Sequence, residues 1–405
     1  VLDTGIDSDH PELVDNFFKN DQGKIIGQRF FDSNSDENFD DDNGHGTHVA
    51  GIIASTGGNG LGGVGVAYNS KIMAIKAAQY SGVLTTTDIA EAIFYAIDNG
   101  ADVINMSFGG YGRSQIEQDA LAIAYSQAVL IAAGGNDGLP NQPCPVIGAP
   151  MYPAAHPWVV GVMAGTPDPK RPGQIIIAGF SNKECINKNG VEYEVLAPGT
   201  GVWSTLPDNS YSAWSGTSMA APVVAGISAL VRTKWPDKSV YSSRFIMGQL
   251  VATNGDPRGK RGVDANAYKA ISTVPKPDLS YEEHWIFDSL DNSSSNDNDG
   301  RLDAGETIEL ALTIRNRWGR GDNVVATLST PSGAASADPY VTFETDTVNY
   351  GAVGSFNKDD NGIIYDENLL VIGVANPFVF SIDENTPNNH VVPFTLTIEA
   401  SNGLE

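Results

Sequence analysis

Cysteine is scarce, positive charge is outnumbered, and no apolar run is long. Two cysteines in 405 residues, Cys144 and Cys185, exclude a disulfide-built scaffold and are too few and too far apart for a zinc centre. One disulfide in an oxidising compartment and two separate thiols both stay open for the pair. Lys and Arg number 24 against 49 Asp and Glu, a formal charge of −25. A chain so short of cationic clusters is not built to hold a phosphate backbone, which excludes nucleic acid as a partner. The surplus of carboxylates favours solubility and the uptake of cations, and most of it is expected on a solvated surface. No apolar stretch approaches the roughly 20 residues of a membrane helix; the run Val223–Val231 is interrupted by Gly226 and Ser228. No secretory leader pattern is visible at the start. Val1-Leu2-Asp3 reads as the end of a strand whose beginning lies upstream.

What is present is a folded chain. The hydrophobic share is 41%, and the length suits two domains better than one core. In the first two-thirds, strand-like and helix-like segments alternate. Lys71–Ala77, Asp102–Met106, Val129–Ala133 and Trp158–Val162 read as strands, and Thr87–Asn99 and Gln115–Ser126 as helices, the former stopped by Gly100. That rhythm predicts an α/β fold, a parallel sheet with helices on both faces. Ser272–Pro277, with two prolines and no periodicity, reads as a linker. Beyond it Thr307–Arg315, Val324–Ser329 and Val391–Ala400 alternate or are β-branched, with Asn- and Asp-rich turns between them. The expectation is an all-β, sandwich or immunoglobulin-like domain without a helix. The predicted domains are residues 1–273 and 278–405.

Three segments carry chemistry. In VLDTGIDSDHPEL (Val1–Leu13), Asp3 stands where an apolar strand gives way to a glycine turn. Such strand ends hold the sites of parallel sheets. In DNGHGTHVAGIIA (Asp42–Ala54), Gly44 and Gly46 flank His45, so that backbone can pack close to the imidazole. His45 and His48 lack the i, i+4 spacing and the third ligand of a metal face, and His48 reads as a structural histidine. In WSGTSMAAPVVAGISAL (Trp214–Leu230), Ser218 opens a helix, where the positive end of the dipole favours a developing anion. Pro222 is read as a first-turn proline that marks the start of that helix. Singly, each segment is matched by an ordinary cap or turn.

Together they resemble the subtilisin-like serine protease (subtilase) family, whose chain order is Asp, His, Ser. The resemblance runs from about Val1 to Ile271 and includes NGADVINMSFGG (Asn99–Gly110), VLIAAGGNDG (Val129–Gly138) and RGVDANAYKAI (Arg261–Ile271). It implies Ser218 as nucleophile, His45 as general base, and Asp3 as the partner that orients His45. Asn136 with the Ser218 N–H would form the oxyanion hole. It also implies an extended substrate between the backbone of Ser107, Phe108 and Gly109 on one side and Tyr80 to Gly82 on the other. Phe108 and Ala132–Gly135 suggest an apolar pocket for the P1 side chain, the one preceding the scissile bond. Asp137 at its rim would help Lys or Arg there.

Two calcium loops are expected, with Ca2+ in a structural role. The first rests on the resemblance: Asn59-Gly60-Leu61-Gly62-Gly63 is similar to the family's calcium loop. Glu12 and Asn59 would give side-chain oxygens, and Leu61 and Gly63 carbonyls, although the family usually has Asp where Glu12 stands. The second rests on a template. SNDNDGRLDAGE (Ser295–Glu306) fits a calcium loop with ligands Ser295, Asp297, Asp299, the Arg301 carbonyl, Asp303 and Glu306. The acidic run Asp36–Asp42 reads as a solvated loop with room for another ion. Gly60, Gly62 and Gly65 also match G-x-G-x-x-G. They follow a helix and lead into a strand, the reverse of a dinucleotide site.

The function expected is a serine endopeptidase acting on proteins or peptides, secreted or at the cell surface, monomeric and without a membrane span. The alternative is a catalytically silent subtilase-fold scaffold whose C-terminal domain binds a surface or substrate. Trp285 and Trp318 would be the exposed aromatics of such a domain, with core packing as their more ordinary use.

Overall fold

The computed structural model describes residues 1–31, 34–138, 150–183, 193–254, 264–288, 302–330, 338–355, 357–368 and 370–403. The chain divides into two compact units, Val1–Thr273 and Val274–Glu405. Cys144, Cys185, the segment Arg261–Val263 and the ligand candidates Ser295, Asp297, Asp299 and Arg301 lie outside the described residues.

In the first unit β1 (Leu2–Asp3) is a central strand. The sheet runs β3 (Asn34–Asp36), β2 (Gly27–Phe31), β4 (Ala74–Lys76), β1, β5 (Val103–Met106), β6 (Val129–Ala133), β7 (Val160–Pro167), and β7 also pairs with β8 (Ile175–Ile177) and β9 (Val195–Pro198). Pairing is parallel except at β3 and β8. Helices α1 (His45–Ala54), α2 (Thr86–Asp98), α3 (Gln115–Ala124), α4 (Thr217–Lys234), α5 (Ser243–Ala252) and α6 (Ala267–Ser272) complete it. Strand β6 shows why both faces are covered. Its five residues are all buried, and they alternate between two cores. Val129, Ile131 and Ala133 pack with α1, α4 and α5, whereas Leu130 and Ala132 pack with α2 and α3.

The predicted α/β class is the observed one, with boundaries shifted by local chemistry. Helix α2 starts one residue earlier than its periodicity suggests, because the Thr85 hydroxyl caps it by accepting from Asp88 N (3.2 Å). Gly100, at φ +79°, turns the chain out at its end. Helix α4 corrects the reading of Pro222. The helix opens at Thr217, so the proline lies in its second turn. Having no N–H, it leaves the Ser218 carbonyl, four residues earlier, without a helical donor. The Ser107 hydroxyl donates to that carbonyl instead, at 2.9 Å. Strands β10 (Val202–Leu206) and β11 (Ser210–Trp214) form the hairpin that leads into α4. Its turn, three residues between the paired Leu206 and Ser210, puts Asp208 and Asn209 at positive φ.

The second unit is all-β among the described residues. One antiparallel sheet joins β12 (Leu279–Phe287), β13 (Thr307–Asn316), β20 (Phe378–Ile382) and β15 (Val341–Thr345), with β17 (Lys358–Asp360) also on β13. A second joins β16 (Thr347–Val353), β14 (Gly321–Ser329) and β21 (Thr395–Glu399), and β18 (Ile363–Tyr365) pairs with β19 (Val371–Val374). Alternate residues of both larger sheets, among them Ile308, Leu312, Val324, Leu328, Val348 and Phe380, meet in one core.

Candidate active site

Asp3 ends β1 at the carboxyl edge of the sheet. The neighbouring strands β4 and β5 lie on opposite sides of β1; such reversals of strand order open a crevice beyond the strand ends. Asp3 is buried, and its Oδ1 accepts from Thr4 N (2.8 Å) and meets His45 Nδ1 at 2.7 Å. An ionised carboxylate only accepts, so the imidazole proton sits on Nδ1 and Nε2 keeps its lone pair. Asp3 Oδ2 is buried without a partner. Burial of His45 works against its charged form, but the Asp3 charge, the hydrogen bond to it and the Asp41 charge outweigh that, raising the imidazole above its usual 6.5. Gly46 is what lets helix and turn meet: a Cβ there would strike the Gly5 carbonyl and lie 3.1 Å from Asp3 Cβ.

Sequence reasoning missed Asp41. Read as part of a solvated acidic run, it instead caps the helix that carries His45. Its Oδ1 accepts from Thr4 Oγ1 (2.9 Å), Asn43 N (3.0 Å) and Gly44 N (2.9 Å), and its Oδ2 from Thr47 N (2.9 Å) and Thr47 Oγ1 (2.7 Å). The available signal was an acid just ahead of a glycine-led helix start. Asp42 is engaged too, with buried Lys76 at 2.7 Å, and the Lys76 ammonium also donates to the Thr4 carbonyl.

Ser218 stands in the first turn of α4, clasped to Ser107 just beyond β5. Its hydroxyl donates to the Ser107 carbonyl (2.9 Å) while the Ser107 hydroxyl donates to the Ser218 carbonyl (2.9 Å) and accepts from Asn105 Nδ2 (2.9 Å). The Ser218 hydroxyl is therefore turned to Ser107 and not to His45. Ser107, Phe108, His45, Asp3, Asn43, Leu84 and Gly82 nevertheless line one cavity of about 200 Å³. The His45 ring also stacks 6.3 Å from Trp214, on the strand that leads into Ser218.

Asn136 follows β6. Its Oδ1 accepts from Thr217 N (2.8 Å) and Thr217 Oγ1 (3.1 Å), so the helix start of α4 orients the amide and leaves Nδ2 free to donate. A Cβ placed on Gly216 would lie 3.5 Å from Asn136 Nδ2 and 3.6 Å from Ser218 N. Asn136 Nδ2 and Ser218 N thus border one small space that a side chain at position 216 would fill.

The expected substrate edges are partly committed elsewhere. The Tyr80 carbonyl accepts from Asn43 Nδ2 (2.7 Å), and Gly82 N donates to Gln79 O (2.8 Å) within its own turn. Gly82 lines the cavity, but its N–H is not free to pair with a peptide. Asp137 is exposed and takes a hydrogen bond from the Tyr111 hydroxyl. His48 is buried as a structural residue. It stacks on Trp214 (4.6 Å between ring centres), its Nε2 meets the Ser212 carbonyl at 3.1 Å, and burial pushes its pKa down to about 4.

Of the first calcium set, Glu12 and Gly63 come together: Gly63 N donates to Glu12 Oε1 (3.3 Å), and Glu12 Oε2 is buried and unsatisfied. Asn59 Oδ1 accepts from Leu61 N (3.0 Å), so it faces its own loop. Of the second set, Asp303 N donates to Glu306 Oε2 (2.7 Å). Among the described residues no group of three His, Cys, Asp or Glu forms a metal cluster, and no helix is long and apolar enough to cross a membrane.

Comparison with known proteins agrees with this architecture. Residues 1–268 match the Subtilase family. Subtilisin DY of Bacillus licheniformis is 38% identical over 257 residues, which are 63% of this chain and 84% of that protein. Thermitase of Thermoactinomyces vulgaris is 36% identical over 274 residues, 67% of this chain and 87% of the relative. Among solved structures, Sphericase superposes with a TM-score of 0.55 at 31% identity, covering 63% of this chain and 81% of that one.

Proposed function

We propose that this chain, which belongs to the subtilase family, is a serine endopeptidase that cleaves proteins through an acyl-enzyme. The observation that carries the reading is the His45–Asp3 contact of 2.7 Å, which leaves Nε2 as the base on the wall of a cavity shared with Ser107. In the reaction, rotation of the Ser218 hydroxyl away from Ser107 presents it to His45. His45 takes the proton as Ser218 Oγ bonds to the scissile carbonyl carbon. Asn136 Nδ2 and Ser218 N stabilise the resulting oxyanion. His45 then gives its proton to the leaving amine. Water, activated by the same imidazole, releases the acid and restores Ser218. Asp3 holds the tautomer and stabilises the imidazolium throughout.

Structural calcium belongs to this reading. Glu12 offers a buried, unsatisfied oxygen beside a glycine-rich loop, and Asp303 and Glu306 are the described part of a second ligand set. Bound only by the folded state, the ion would stabilise it. A chelator should lower the melting temperature; an unchanged melting temperature would remove calcium from the account. Secretion and a monomeric state complete the proposal.

A silent scaffold is the second reading, and one observation favours it: the Ser218 hydroxyl is bonded to Ser107. Labelling with a fluorophosphonate, followed by peptide mapping, separates the two. The expected result is one adduct, on Ser218, absent from Ser218→Ala. Well-folded protein that stays unlabelled is the scaffold.

A further inference from the structure

We infer that Met151 fills the slot meant for the P1 side chain, so that this chain cleaves after small residues (Gly, Ala, Ser) and not after large apolar or basic ones. The inference rests on the proposed endopeptidase reading and makes its substrate class specific.

The slot lies between two backbone walls. One follows β5 (Ser107–Gly109) and the other follows β6 (Ala133–Gly135), and the strands hold them side by side, with Met106 paired to Ala132. Gly109 and Gly135 leave both walls bare, and one side chain reaches both. Met151 Cγ and Sδ lie 2.8 Å from where a Cβ on Gly109 would be, and Met151 Cε lies 2.6 Å from where one on Gly135 would be. These separations are too short for real side-chain neighbours, so the thioether occupies the space at Gly109 and shares the space at Gly135 with Asn182 Nδ2, which lies 2.3 Å from the same point.

Met151 is anchored there. It is 8% exposed and packs in the core that contains Ala132 and Ala154. Its N–H donates to the Tyr193 hydroxyl at 3.2 Å. Next to it, Tyr152 and Gly110 exchange two backbone hydrogen bonds of 2.8 Å each, which fixes residue 151 against Gly109. Asn182 Nδ2 reaches the same wall, donating to the Gly134 carbonyl at 2.9 Å. Asp137 is exposed beside this wall, with one carboxylate oxygen held by the Tyr111 hydroxyl. A shallow, apolar slot and a basic preference set by Asp137 make opposite predictions for Lys at P1.

The test is kcat/KM on peptide anilides that differ only at P1: Ala, Ser, Leu, Phe and Lys. Wild-type protein should prefer Ala over Phe by at least about tenfold, the low end of what one or two methylenes decide in an apolar pocket. Met151→Ala and Met151→Gly should raise the Phe-to-Ala ratio by at least about tenfold. Met151→Leu, which refills the slot, should keep the wild-type ranking. A wild-type preference for Phe, Leu or Lys overturns the inference, and that measurement needs no variant. So does a Phe-to-Ala ratio that Met151→Ala leaves unchanged in protein that melts normally. If no anilide is cleaved and Ser218 takes no fluorophosphonate, the endopeptidase reading fails and this inference with it. Labelled Ser218 with a large P1 preference sinks the inference alone.

Discussion

Each of the two units contains a histidine–aspartate pair with the same separation. In the first, His45 Nδ1 lies 2.7 Å from Asp3 Oδ1; in the second, His390 Nε2 lies 2.7 Å from Asp338 Oδ2. The contacts are alike and the surroundings are not. Asp3 is at a strand end facing a cavity, and the other nitrogen of His45 is left for chemistry. Both carboxylates also accept a backbone N–H, from Thr4 (2.8 Å) and from Tyr340 (3.0 Å), but among the described residues no such cavity is lined at Asp338, and the Tyr340 ring lies edge-on to His390 at 4.9 Å. The asparagines repeat the lesson. Asn316 is saturated, donating to Gly319 O (2.7 Å) and Val353 O (3.1 Å) and accepting from Asp278 N (3.1 Å) and Trp318 N (3.2 Å). Asn361 likewise braces Leu310, Leu312 and Asn376. Asn136 has a satisfied acceptor and an unspent donor. Function follows the polar group that folding leaves incomplete.

The sharpest way to break this comparison is to remove both histidines in turn. His45→Ala should cost roughly 10⁶ in turnover, the size known for the same residue in subtilisin itself. His390→Ala should leave turnover alone and cost less than about 1 kcal/mol, as a partly exposed polar contact does. A comparable loss of turnover from both would mean that the local pair is sufficient and its setting irrelevant. The asparagines come next. Asn136→Ala should lower kcat by about 10²–10³, again the magnitude established for subtilisin, and cost about 1 kcal/mol of stability through the lost Thr217 cap. Asn316→Ala should do the opposite: turnover on a small peptide is retained, and each buried group it orphans costs about 1–3 kcal/mol. Kinetics and thermal melts on the same two proteins decide it.

The smallest effect is in the pH profile. His45 must be neutral to act as a base, and its folded pKa is raised above 6.5. The acid limb of kcat/KM should therefore have its midpoint above 6.5, with activity lost as pH falls through it. Ion pairing to Asp3 favours folding most when His45 is charged, so its contribution to stability is complete below the unfolded value and fades as pH rises through the folded one. His48 acts in the other sense. With a folded value of about 4, it withdraws stability as pH falls from about 6.5 towards 4. A limb below 6.5 would mean that Asp3 does not hold the imidazolium as the geometry implies.

Much of this was legible in the residues. Gly44, Gly46 and the strand-ending Asp3 announce a close approach of helix and turn, because only small residues permit it. The alternation in Val324–Ser329 marks a strand with one buried face, whereas in Thr307–Arg315 the alternating residues are legible but the burial of Ala311 and Thr313 on the other face is not. Other features were not legible. Asp41 looks like its acidic neighbours until the fold brings Thr4 and Thr47 to it. Pro222 looks like a helix opener, since nothing local shows that Ser107, 111 residues away along the chain, donates to the carbonyl the proline strands.

Taken alone, the sequence determined the chemistry available: an acid, an imidazole, a hydroxyl and a carboxamide on elements whose apolar periods select a parallel sheet with helices, then an antiparallel one. Tertiary structure decided which of those groups remain unsatisfied at a shared surface, and whether a pocket beside them is open. That Met151 reaches both Gly109 and Gly135 is written in no local pattern. It arises because side chains far apart in sequence compete for the same space once the cores close, and packing has no short-range signature.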